Sequence, residues 1–95
     1  MGKLVRDRIP FLYDDEQSQH HRLNDADFEA ALREKLQEEV AEYLESGEVM
    51  ELTDILEVVY ALAELDGVTS SQLDTMRAEK AAERGTFRER WWWEG

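Results

Sequence analysis

Gln37-Glu38-Glu39-Val40-Ala41-Glu42-Tyr43-Leu44-Glu45-Ser46-Gly47-Glu48-Val49-Met50-Glu51-Leu52-Thr53-Asp54 is helical sequence interrupted once, at Ser46-Gly47. Upstream of the break, Phe28, Ala31, Leu32, Leu36, Val40, Tyr43 and Leu44 recur at three- and four-residue steps. That period predicts an amphipathic helix from Asp27 to about Ser46, with Asn24 or Asp25 as its N-cap. Downstream, Leu52, Ile55, Leu56, Val58, Val59, Leu62 and Leu65 predict a second helix from about Glu48 to Leu65, closed by Asp66-Gly67. Ser70 or Ser71 is the expected cap of a third helix on Leu73, Met76 and Ala81, running to about Arg84 before Gly85. Residues 1–12 are short and mixed around Pro10, and the polar, aperiodic residues 13–24 read as a loop. The fold class is therefore all-α, a tight antiparallel helical hairpin plus a third helix, in one domain over residues 1–95.

The chain has 95 residues, 23 acidic and 11 basic side chains, no Cys, and a formal net charge of −12. The imbalance is local. Residues 25–66 hold 14 acidic groups against only Arg33 and Lys35, while the two flanks together hold nine of each sign. Such a centre repels phosphate unless cations intervene, which argues against binding nucleic acid. The absence of Cys excludes disulfides and thiolate metal sites. No apolar run approaches the length of a membrane span, and MGKLVRDRIP lacks the apolar stretch of a signal peptide. A cytoplasmic protein without a membrane partner is the expectation.

Helical geometry turns the acidic excess into a constellation. At about 100° per residue from Phe28, the apolar arc of the first helix covers roughly 0° to 160°, and Glu39 falls inside it at about 20°. Glu42 lies at the edge of that arc and Glu38 further round. On the second helix Glu51 sits inside the apolar arc and Asp54 at its edge. A bend centred between Ser46 and Gly47 sets Glu42 level with Glu51 and Glu39 level with Asp54. Four carboxylates then converge between two packed helices, an arrangement that raises their pKa values unless a cation compensates. Hard divalent ions take oxygen ligands of this kind, Mg²⁺ usually through a few carboxylates plus waters and substrate phosphates.

Glu38-Glu39-Val40-Ala41-Glu42 followed by Glu51-Leu52-Thr53-Asp54 resembles the EExxE…ExxD signature of the all-α NTP pyrophosphatases. This MazG-like superfamily also contains phosphoribosyl-ATP pyrophosphohydrolases and dimeric dUTPases. Lys3-Leu4-Val5-Arg6-Asp7-Arg8-Ile9-Pro10 is similar to the KLVRDxIP opening of a phosphoribosyl-ATP pyrophosphohydrolase-like subgroup. Lys80-Ala81-Ala82-Glu83-Arg84-Gly85-Thr86-Phe87 resembles its KxxERGGF ending, with Thr86 in place of the second Gly. The resemblance runs from residue 3 to about residue 90. One departure is the link of eight residues between Glu42 and Glu51, shorter than is usual in the superfamily.

The resemblance implies Mg²⁺-dependent hydrolysis of a nucleoside triphosphate to the monophosphate and pyrophosphate, with Mn²⁺ as a substitute ion. Carried over residue by residue, Glu39, Glu42, Glu51 and Asp54 become the metal ligands. Glu38 and Glu39 become the catalytic carboxylates, Glu38 as an extra ligand or water-orienting base. Lys3, Arg6, Lys80 and Arg84 are the cations expected near substrate phosphates, since Arg forks and Lys point charges both suit them. Cleavage of phosphoribosyl-ATP is a narrower variant of the same reaction. Two helices alone cannot bury their apolar faces, so a homodimer or higher homo-oligomer with a four-helix core is expected.

Other residues read more plainly. Adjacent His20 and His21 diverge in a polar loop and are expected to be exposed or packed within it. Trp91, Trp92 and Trp93 are expected to cover a core edge or subunit interface rather than to stack a base. Tyr43 and Tyr60 read as core, and Glu57 as surface. A competing reading is a non-enzymatic acidic helical module for dimerisation or partner binding. An acidic DNA mimic would need its carboxylates exposed, against their place in the apolar arcs.

Overall fold

Asn24 starts the first long helix: its side-chain oxygen accepts the Asp27 N–H at 2.8 Å. In the computed structural model, which describes residues 2–12 and 19–95, four helices follow one another with no strand among the described residues. They are α1 (Ile9–Leu12), α2 (Asp25–Ser46), α3 (Val49–Leu65) and α4 (Ser70–Arg84). The expected loop lies partly outside the described residues; residues 19–24 carry no regular structure. The single turn α1 is an element the sequence reading did not anticipate. Its Pro10 sits in the first turn, where the missing N–H leaves no bond unmade.

The link that makes the hairpin is Gly47-Glu48. Gly47 adopts φ +69°, a left-handed conformation that side chains resist, and its N–H closes on the Tyr43 carbonyl at 2.7 Å. With α3 starting at Val49, α2 and α3 must run back to back, and they pack along each other. The cap of α4 is Thr69 rather than either serine. Thr69 Oγ1 accepts the Gln72 N–H at 3.1 Å while Gln72 Oε1 accepts the Thr69 N–H at 2.9 Å. This reciprocal capping box uses Gln at the third helical position, a partner that Ser70 and Ser71 do not find. Among the described helices, α4 packs on α3 alone.

The apolar stripes are wider than the contacts that cover them. Leu32 and Val58 are buried, and Phe28, Leu36, Ile55, Val59 and Leu62 are half-buried around them. At the hairpin tip, by contrast, Leu44, Val49 and Met50 are 76%, 75% and 71% exposed. Trp91, Trp92 and Trp93 extend from the structure, exposed. The chain exposes 9114 Å² in all, where a compact monomer of this length exposes about 5,700 Å². Its radius of gyration is 16.9 Å, against about 12 Å for a compact globule of 95 residues. Among the described residues, no helix is long and apolar enough to cross a membrane.

Candidate metal centre

Helix α2 carries Glu38, Glu39 and Glu42 within little more than one turn, and the short link brings Glu51 and Asp54 of α3 against Glu39. Carboxylate oxygens of Glu39, Glu51 and Asp54 lie within 4.8 Å of one another, and so do those of Glu38, Glu39 and Glu42. Glu39 belongs to both groups and is their hinge. It is also the one buried charged residue among those described, 6% exposed, because its position on α2 falls inside the apolar stripe. Its Oε2 atom is buried with no hydrogen-bond partner. Glu51 and Asp54 are half-buried, whereas Glu38 and Glu42 are exposed at the rim.

The electrostatics follow from this crowding. Glu42 is held above its ordinary carboxylate value, first by the charge of Glu39, then by desolvation, its close approach to Glu39 and the charges of Glu51 and Glu38. Desolvation raises Glu51, followed by the charges of Asp54, Glu39 and Glu48 and a hydrogen bond with Asp54. Two protein cations offset part of the repulsion. Arg6 reaches from the N-terminal segment to Asp54, Nη2 to Oδ1 at 2.5 Å. Lys35 Nζ lies 3.1 Å from Glu39 Oε1 and 3.5 Å from Glu38 Oε1. Desolvation opposes the Lys35 charge, yet its hydrogen bond to Glu39 and the charges of Glu38 and Glu39 prevail and lift its pKa above the usual lysine value.

Lys35 is the residue the sequence reading missed as part of the site. Its spacing of three and four residues from Glu38 and Glu39 is the signal that could have found it. Of the four expected phosphate cations, only Arg6 touches the cluster. Lys3 is exposed, and Lys80 and Arg84 line an open groove on α4 with Met76, Glu79 and Glu83. Among the described residues, no ion pair joins these three to the carboxylates. His20, His21 and Glu57 are exposed and outside the cluster, and Tyr43 and Tyr60 are half-buried.

Five carboxylates against two cations, around one buried oxygen without a partner, form two overlapping acidic groups that could hold a metal ion. All of the converging donors are oxygens, which suits Mg²⁺, Mn²⁺ or Ca²⁺ and not thiolate-seeking metals. Comparison with family models, with characterised proteins and with solved structures finds no match for this chain.

Proposed function

We propose that this chain hydrolyses a nucleoside triphosphate, or a closely similar nucleotide, to the monophosphate and pyrophosphate with Mg²⁺ as cofactor. The observation that carries the reading is Glu39, buried, with Oε2 unpartnered, beside Glu51 and Asp54. A buried carboxylate oxygen without a partner is strongly unfavourable unless something outside the chain satisfies it. Glu39, Glu42, Glu51 and Asp54 are the residues that would hold the ion. A divalent ion bound there supplies charge neutralisation at phosphate oxygens.

The chain's own residues supply the rest. Glu38, exposed beside Glu39, is the base proposed to accept a proton from the attacking water. Arg6, already at Asp54, is the first cation placed to meet a phosphate, with Lys3, Lys80 and Arg84 as further candidates. The loose transition state of phosphoryl transfer asks mainly for positioning and charge stabilisation, which such a set can provide. The resemblance of Glu38–Glu42, Glu51–Asp54 and the two terminal motifs to the NTP pyrophosphatases supports the choice of reaction. A homodimer is part of the reading: the apolar residues turned outward on α2 and α3 would meet their copies in a four-helix core.

The test is pyrophosphate release from a panel of nucleotides with Mg²⁺. Glu39→Gln and Glu51→Gln are each expected to lower it by at least about 100-fold, as for loss of an electrostatic stabiliser of the transition state. Undiminished turnover in both variants would refute the site. The outward apolar surface also favours a second reading, a helical interaction module. Assembly without hydrolysis of any nucleotide in the panel would decide for it.

A further inference from the structure

Lys35 has no part in the ligand set, and yet it makes the tightest polar contact to the most buried carboxylate. Its ammonium sits 3.1 Å from Glu39 Oε1, and its side chain is only 21% exposed, so most of the stem is covered while the head faces the cluster. The other oxygen of the same carboxylate has no partner at all. Glu39 is therefore half-satisfied, one oxygen on a tethered monovalent cation and one waiting. A divalent ion binds a carboxylate oxygen at about 2.0–2.6 Å. Seated on Glu39, it would lie within a few ångströms of the Lys35 ammonium, in surroundings where like charges repel strongly.

We infer that Lys35 is a built-in counter-ion that holds Glu39 while no divalent ion is bound and yields it when one arrives, thereby setting the site's affinity for the ion. The inference rests on the metal reading above and deepens it by naming a positioning residue outside the ligand set. Lys35 has somewhere to go, because Glu38 Oε1 lies 3.5 Å away at the exposed rim. Exchange therefore moves the ammonium from a buried to a solvated carboxylate, and five acidic groups never stand without a cation among them. The same exchange keeps the ion-free hairpin folded at the expense of ion affinity.

The experiment uses the full chain. Lys35→Met keeps the packed stem and removes the charge, and Lys35→Arg keeps the charge. Mn²⁺ and Mg²⁺ affinities are measured by calorimetry, and thermal unfolding is followed with chelator and with saturating ion. Lys35→Met is expected to bind the ions on the order of 10-fold tighter than wild type, to melt lower in chelator, and to gain more from the ion. Lys35→Arg is expected to stay near wild type. Equal or weaker affinity in Lys35→Met overturns the inference.

A second measurement needs no variant. In the wild-type chain, the Lys35 side-chain nitrogen resonance is expected to shift as Mg²⁺ is titrated, together with the carboxylate carbons of Glu39, Glu51 and Asp54. If those carboxylates respond and Lys35 does not, the counter-ion role falls and the metal site stands. If none of them responds, the metal site falls and the exchange with it.

Discussion

Arg6 and Asp54, 48 residues apart in sequence, form an ion pair with Nη2 and Oδ1 at 2.5 Å. The pair ties the N-terminal segment to the rim of the acidic cluster. Both side chains retain solvent contact, so the tie is an electrostatic one in a high-dielectric setting. Its significance is positional: it holds a guanidinium beside the carboxylates of the acidic cluster.

Arg6→Ala should therefore release the segment with little loss of global stability. A solvent-exposed ion pair is worth about 0.2–1 kcal/mol. Hydrogen exchange of residues 4–9 should speed up markedly, while protection of α2 and α3 stays within error of wild type. A large drop in the unfolding midpoint would mean that the segment carries more of the fold than its contacts indicate.

Glu39→Met is expected to separate stability from ion binding. The substitution removes a buried charge from a crowded acidic patch and fills the apolar stripe, with Glu38 left to pair Lys35. Urea unfolding in chelator should show a gain of about 1 kcal/mol or more, because a buried acceptor without a partner is removed. Calorimetry should find Mn²⁺ binding abolished. Stabilisation with binding retained would remove Glu39 from the ligand set.

The pH dependence of the ion-free chain follows from Glu42 and Glu51. Both have folded-state pKa values above the ordinary one, so the folded chain holds protons that the unfolded chain has already released. Their contribution to stability is complete below the unfolded-state pKa of about 4.3 and is lost as pH rises through the raised folded values. The urea midpoint in chelator should thus fall as pH rises above the unfolded-state value of about 4.3. Saturating Mg²⁺ should flatten or reverse that trend, because ligands must be deprotonated and binding expels protons. Midpoints that rise with pH in chelator would contradict the assigned crowding.

Leu44→Glu tests the proposed assembly. Leu44 is 76% exposed at the hairpin tip, so a charge there leaves the hairpin's own packing alone. Sedimentation at micromolar concentration should show a homodimer or larger species for wild type and a shift towards monomer for the variant. A wild-type monomer under those conditions would rule out the four-helix core.

Much of this architecture is legible along the chain. The three- and four-residue spacing from Phe28 to Leu44 and from Leu52 to Leu65 marks α2 and α3, and Gly47 and Asp66-Gly67 mark their ends, because these are local preferences. Sequence alone favours a serine cap for α4, because Thr69 gains its advantage from a partner three residues on, Gln72. Helix periodicity also puts Glu39 on the apolar side of α2, since direction around a helix depends only on residue count. Lys80 and Arg84 went the other way. They stand in the terminal motif that resembles the family, yet their place relative to the cluster depends on how α4 leaves α3.

Local spacing thus determines the helices, the hairpin and the set of carboxylates that can meet across its turn. Tertiary packing decides which of them become buried, and which protein cations reach them. Glu39 loses its water only when α3 closes over it, and one of its oxygens is then left without a partner. Arg6 meets Asp54 across 48 residues of sequence, whereas Lys35, three and four residues before Glu38 and Glu39 on the same helix, is set by local spacing. Burial and long-range charge are properties of the folded chain as a whole, so residue spacing alone does not contain them.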